Sequence, residues 1–235
     1  MSGHSKWRQI KHKKALTDSK RSQLFGRLSR EIRVAAQTGN DPNTNSALRD
    51  AIARAKKANL PQANIDRLLN QPPGDIAAAT YEGYGPGGAS LLITVATDNT
   101  NRTVSEIRSL LKKHGGSLGG PGSVRWKFIP QIIISAALLP DTNKEDLELH
   151  LIDAGATDFK ISQQNLTVSA PPHVRSTLEN TLAQFNLTDF SVGLGFVVPA
   201  AQRTPLNQAQ AQQLQELLHE LSDHPDVLAV YTDQE

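Results

Sequence analysis

Cysteine is absent from this chain of 235 residues, which excludes disulfides, thiolate metal sites and a cysteine nucleophile at once. That absence suits a reducing compartment. Long apolar runs are missing as well: the longest, near residues 131–139, is the size of a strand and far short of the ~18 residues of a membrane span. The first residues, Met1-Ser2-Gly3-His4-Ser5-Lys6, are polar and lack the apolar stretch of a secretory signal. These absences predict a cytoplasmic protein with no membrane partner. The seven histidines are scattered, with no His-x-x-x-His or His-Glu-x-x-His spacing, so no metal site is expected. No Gly-x-Ser-x-Gly elbow is present. Acidic pairs such as Glu145/Asp146 and Asp223/Asp226 fall at helix starts or turns, where capping or solvation accounts for them. Glu106 sits at a helix start, where the dipole suffices. The expectation is a protein that is not an enzyme and carries no cofactor.

What is present is a division of charge. The formal net charge of +2 hides it. Residues 1–75 carry 15 Lys and Arg against 6 Asp and Glu, a net of +9, whereas residues 76–235 carry 10 against 17, a net of −7. A basic part joined to an acidic body points to a polyanionic partner.

The basic third has a helical pattern. In residues 18–36 Leu24, Phe25, Leu28 and Ile32 share an arc of about 40° to 160° on a wheel with Lys20 at zero. Arg33, Arg30 and Arg27 lie at about 220°, 280° and 340°, so core and charge face opposite ways. Arg21 and Val34 break the pattern. Gly39 and Pro42 stop this helix, and Asn45 or Ser46 caps a second, running to residue 58 and buried through Leu48, Ile52 and Ala55. A third begins at Pro61 and buries Ile65, Leu68 and Leu69; Gln71-Pro72-Pro73-Gly74 ends the module.

Beyond residue 80 the pattern becomes mixed. Strands are expected at 89–97 and 123–129, with a helix at 103–114 and a glycine-rich loop at 115–122. Residues 131–198 spell strand, helix, strand pair, helix, strand, which is the ferredoxin-like split βαβ order. The tail offers one helix at 207–221 and one strand at 227–231. These two cannot bury a core alone, so the tail is expected to return and complete the middle domain. The reading is an α+β multidomain protein: an N-terminal three-helix module followed by two ferredoxin-like α+β domains, one inserted in the other. Residues 1–75 form the basic helical domain, 76–130 plus 204–235 a discontinuous α+β domain, and 131–203 the inserted domain.

Gly83-x-Gly85-x-x-Gly88 has dinucleotide-fingerprint spacing, but it precedes a strand where the fingerprint must follow one. The loop at 115–122 lacks the Gly-Lys-Ser/Thr ending of a phosphate-binding loop. It serves either as a turn needing positive φ or as a close approach of backbone to phosphate, near Lys112, Lys113 and Arg125. In the run from Gly3 to Lys14, cations interleave with Trp7, which either packs on the helices or stacks on a base.

Gly3-His4-Ser5-Lys6-Trp7, Ile10-Lys11-His12-Lys13-Lys14-Ala15 and Asp18-Ser19-Lys20-Arg21 with Phe25 resemble the opening signature of the YebC family. The stretch from Tyr81 to Gly88, Asp98-Asn99-Thr100-Asn101-Arg102-Thr103-Val104, Gly115-Gly116-Ser117-Leu118-Gly119, and Gly122-Ser123-Val124 with Trp126 and Phe128 agree with it. The resemblance runs end to end, more loosely beyond residue 130. It implies three domains and a bacterial-type cytoplasmic protein without an organellar leader, regulating transcription by binding DNA. Mitochondrial relatives resemble translational activators, and some bacterial members are linked to ribosomes stalled on proline-rich sequences.

The candidate phosphate contacts are therefore Lys6, Arg8, Lys11, His12, Lys13, Lys14, Lys20, Arg21, Arg27, Arg30 and Arg33. Arg102, Lys112, Lys113 and Arg125 are secondary candidates. The expected partner is DNA, with ribosomal RNA on a ribosome-associated translation factor as the alternative. A third reading is a scaffold whose acidic α+β domains contact the ribosome or another protein.

Overall fold

The computed structural model describes residues 3–71 and 76–234, with side chains described from residue 19 onward. Its element order is helical first and mixed afterwards, an α+β multidomain arrangement of seven α-helices and two four-stranded sheets among the described residues. None of those helices is long and apolar enough to cross a membrane. The chain divides into two compact units. One comprises Met1–Thr80, Ile93–Lys113 and Gln215–Val230; the other comprises Tyr81–Leu92, His114–Leu214 and Tyr231–Glu235.

In the first unit α1 spans Gly3–Ala36, α2 spans Ser46–Lys57 and α3 spans Gln62–Asn70. One side chain organises the corner between α1 and α2. The Asn45 carboxamide oxygen accepts from the Leu48 N–H at 3.0 Å and so caps α2. Its amide nitrogen donates to Ala35 O and Gly39 O, each at 2.7 Å, and so satisfies one carbonyl in the last turn of α1 and one in the turn that follows. Leu28, Ile32, Leu48, Ala51, Ala55, Leu60, Ile65 and Leu68 form the shared core, with Phe25 and Ile52 partly buried against it. Leu24, expected on the same apolar arc, is instead 41% exposed. It stands at the edge of the arc, outside the core that Phe25, Leu28 and Ile32 share with α2 and α3. The Glu31–Arg54 ion pair at 2.9 Å ties α1 to α2 beside the core.

The same unit contains α4 (Thr100–Lys113) and parts of β2 (Ser90–Thr97), α7 (Gln208–Asp223) and β8 (Val227–Thr232). Ile107 and Leu111 of α4 and Leu217 and Leu221 of α7 are buried. Lys113 and Glu220 pair at 2.6 Å on the exposed side of these helices.

The first sheet has the order β3-β1-β2-β8, with β1 at Ala77–Tyr84 and β3 at Ser117–Leu118. β1 and β3 run antiparallel in the register Gly83↔Leu118. The tail strand β8 thus lies in the sheet begun by β1 and β2. β1 itself was not legible in the sequence, since Ala77-Ala78-Ala79 carries no strand pattern.

The second sheet has the order β5-β6-β4-β7, built from β4 (Ile129–Ala137), β5 (Asp158–Ser162), β6 (Asn165–Ala170) and β7 (Phe190–Val197). β4 pairs antiparallel with β6 and β7, and β5 with β6. With α5 (Lys144–Asp153) and α6 (Arg175–Gln184) this is the split βαβ order. Its core is Ile132, Ile134, Leu147, Leu151, Leu166, Val168, Leu178 and Leu182, with neighbours.

The strand expected at 123–129 is not formed. Val124, Trp126 and Phe128 alternate as a strand would, yet Val124 and Phe128 are buried while Trp126 is 66% exposed. Arg125–Lys127 form a 3-10 turn instead. The cause is Glu82, whose carboxylate accepts the N–H groups of Gly122, Val124 and Arg125 at 2.7 to 2.8 Å. Those donors are then lost to any ladder.

Candidate nucleic-acid interface

The cations named from the sequence fall into three groups. Lys6, Arg8, Lys11, His12, Lys13 and Lys14 lie on the first half of α1, and their side chains fall outside the described residues. Lys20 and Arg21 are exposed on the same helix, with the Arg21 guanidinium 5.1 Å from the Phe25 ring centre. Arg27, Arg30 and Arg33 are half-buried, and two of them face the protein's own groups. Arg27 Nη2 donates to Ser222 O at 2.6 Å, and Arg30 Nη2 stands 3.6 Å from Asp226 Oδ1. The arginine row is therefore no uniform solvent-facing stripe, as the helical wheel suggested, because tail residues 222–226 pack against it within the same unit.

Of the secondary candidates, Lys112 is exposed and Lys113 is paired with Glu220. Arg125 is exposed but held within its loop, donating to Phe128 O at 2.7 Å and lying over the Phe196 ring at 4.5 Å. Arg102 joins the arginine row at Asp226.

Asp226 is the centre of that site. Its side chain is only 4% exposed. Oδ2 accepts from the Thr103 hydroxyl at 2.7 Å and from Arg102 Nη2 at 3.1 Å. Thr97 Oγ1 lies 2.8 Å from Thr103 Oγ1. Burial disfavours the Asp226 anion, but the hydrogen bonds from Thr103 and Arg102 and the nearby Arg30 cation outweigh it, holding the carboxyl below its ordinary range. Arg102 also pairs with Asp98 at 2.9 Å. Around these groups lies a cleft of about 400 Å³. Gly26, Ser29, Arg30 and Arg33 of α1 line one side; Leu68, Ile76, Asp98, Arg102 and Asp226 complete it.

Two features here were not legible in the sequence. Asp226, read there as a solvated turn acid, is buried among arginines 124 residues or more away in the chain. Glu106 and His224 also converge with it. The Asp226 N–H donates to His224 Nδ1 at 3.2 Å, so His224 Nε2 carries the proton toward Glu106 Oε2 at 2.9 Å. Glu106, His224 and Asp226 hold ligand-type atoms within 4.8 Å of one another. All three residues are already engaged in the protein's own network, and Arg102 supplies the cation beside Asp226.

The glycine-rich loop resolves differently. Gly115 and Gly122 have φ of 72° and 83°, the left-handed conformation that favours glycine. Its N–H groups at Gly122, Val124 and Arg125 are taken by Glu82, which stands where an approaching phosphate would sit. Burial opposes ionisation of Glu82, and those N–H donors lower its pKa regardless.

Fold and site together define an α+β multidomain protein whose cations concentrate on an N-terminal helical region. Its sequence matches the TACO1/YebC protein N-terminal domain over residues 5–74 and the TACO1/YebC second and third domain over residues 76–234. The chain belongs to the TACO1/YebC family. A protein of Carboxydothermus hydrogenoformans, named "Probable transcriptional regulatory protein", is 41% identical, the match covering 100% of this chain and 99% of that protein. One of Dictyoglomus thermophilum with the same name is 39% identical over 98% of this chain and 94% of its own length. Among solved structures, the conserved hypothetical protein Aq1575 of Aquifex aeolicus superposes with a TM-score of 0.79 at 31% identity, covering 93% of this chain and 91% of that one.

Proposed function

We propose that this protein is a cytoplasmic regulator that binds DNA through its N-terminal helical region and is a binding protein, not an enzyme. One observation carries the reading: α1 concentrates 10 Lys and Arg against 2 acidic residues on a single helix of 34 residues. A helix of that length extends about 50 Å. Cations along it neutralise successive phosphates and release counterions, which gives affinity with little sequence choice. The acidic remainder, net −7 over residues 76–235, repels phosphate and so orients the basic region toward it. The names of the relatives support regulation of transcription as the setting.

Ribosomal RNA is the second reading, and two side chains favour keeping it. Amides at helix starts are common readers of base edges. Here Asn45 is consumed in capping α2 and Gln62, at the start of α3, donates to Asp66 at 2.7 Å. This favours a target read through its phosphates, a property shared by DNA and ribosomal RNA. The acidic α+β part would then face a ribosomal or other protein partner.

Reversing Lys11, Lys13 and Lys14 together to Glu is expected to abolish binding to oligonucleotides. If six phosphates are engaged on duplex DNA, the wild-type log–log salt slope is about −5. Unchanged affinity and slope in the triple variant would sink the assignment. Crosslinking in cells followed by sequencing separates the targets: promoter DNA supports the first reading, ribosomal RNA the second, and neither leaves only a protein scaffold.

A further inference from the structure

We infer that the cleft beside Asp226 is a phosphate-binding site in which Arg30, Arg33 and Arg102 hold one phosphate of a nucleotide over Gly26. The inference rests on the nucleic-acid reading above and gives that reading a specific pocket.

The arginines at the cleft carry more donors than the protein's own groups take up. A guanidinium presents five N–H groups and accepts nothing. Among the described residues Arg33 has no hydrogen-bond or ionic partner, and Arg30 makes only its 3.6 Å approach to Asp226. Arg102 engages Asp98 and Asp226 through Nη2 alone. The cleft lining holds three cations, Arg30, Arg33 and Arg102, against two carboxylates, Asp98 and Asp226; Glu106, beside Asp226 but not in the lining, is engaged by His224. Arginines brought together this way repel one another unless an anion bridges them, and a tetrahedral oxyanion matches their fork geometry.

Gly26 lines the same cleft. It lies within α1, where glycine is less favourable than alanine. Its backbone is not left-handed, and a Cβ there would meet only Arg30 Nη1, at an ordinary 3.5 Å. Neither conformation nor packing calls for glycine. What its bare Cα provides is open space on the α1 wall of the cleft, under the Arg30 guanidinium. A volume of about 400 Å³ accepts a phosphate with its sugar. Leu68 and Ile76 add an apolar wall.

Asp226 is the positioning residue. Anchored by the Thr103 hydroxyl, it fixes Arg102 and draws Arg30 toward the same point, so the donors are set before a ligand arrives.

The test uses the full chain with Gly26→Leu, which fills the cleft and favours the helix, and Arg33→Gln, which removes one cation. Binding of fluorescent oligonucleotides is read as affinity and salt slope, alongside thermal melting. Each variant is expected to weaken binding roughly tenfold. Each should also make the slope shallower by about 0.9 on duplex DNA or about 0.7 on a single strand. Gly26→Leu should melt no lower than wild type; should it unfold, Arg33→Gln alone decides. Oligonucleotides with and without a 5′-phosphate separate the sources. A loss confined to the phosphorylated strand assigns the cleft to terminal phosphates, and an equal loss assigns it to internal phosphodiesters; either supports the inference. Wild-type affinity and slope in both variants, with binding lost in the Lys11/Lys13/Lys14 reversal, overturns the cleft and leaves the proposed function standing. If the wild-type chain binds no oligonucleotide, the proposed function fails and titration with AMP judges the cleft. AMP binding abolished by both substitutions supports it, and no AMP binding overturns it.

Discussion

Asp226 and Asp233 stand seven residues apart on the tail and are both buried, yet they have opposite consequences. In both, burial opposes the anion and hydrogen bonds overcome it, so both carboxyls ionise below their ordinary value. Asp233 is a closed joint. It accepts from Ser90 N–H, Gln234 Nε2, Lys127 Nζ and Thr204 Oγ1 at 2.7 to 3.1 Å, with one cation for one anion. Asp226 is an open one: it attracts two arginines, neighbours a third, and satisfies only a fraction of their donors. A buried carboxylate with a lowered pKa therefore does not mark a functional site by itself. Unmet donors facing a cleft do so better.

The contrast can be broken at several points. The largest effect is expected from Asp233→Asn, which leaves Lys127 without its counter-ion in a site where the carboxylate side chain is fully buried. Urea denaturation should show a loss of about 3 kcal/mol, with oligonucleotide affinity intact; a parallel fall in affinity would show that Asp233 is more than a joint. Asp226→Asn should lose somewhat less, about 2 kcal/mol, because its arginines reach solvent more readily.

The two acids also predict a dependence on pH. Their folded pKa values lie below the ordinary 3.8, so the stability they contribute is full above that value. It is lost as pH falls through the lower folded values. Each Asn variant should therefore show a flatter decline in stability below about pH 4 than wild type, and parallel curves would count against the assignment.

A smaller loss, about 1.5 kcal/mol, is expected for Glu82→Gln, which weakens three charge-assisted bonds to residues 122–125. Iodide quenching of Trp126, in a chain whose Trp7 is replaced by Phe, should change as the loop loosens. Gly26→Ala is the smallest effect and has the opposite sign, a gain of about 0.5–1 kcal/mol. A destabilised alanine variant would show that packing, not the cleft, holds glycine there.

Much of the fold was legible because its signals are local. Leu28 and Ile32 at helical spacing, Asn45 before α2, Pro61 before α3 and the strand-helix order of residues 131–198 all act within a few residues of themselves. The strand expected at 123–129 failed because a carboxylate 40 residues away, at Glu82, removed its backbone donors. Leu24 failed because burial depends on where around α1 the core completed by α2 and α3 ends, which no helical wheel contains.

The basic character of the first third, the absence of cysteine chemistry and the family signature were determined by the sequence alone, since each is a matter of residue identity and spacing. Which of the arginines stand in solvent and which converge on Asp226 was decided only by the tertiary structure. Asp226 and Arg102 are separated by 124 positions, and Coulombic attraction acts through space, not along the chain.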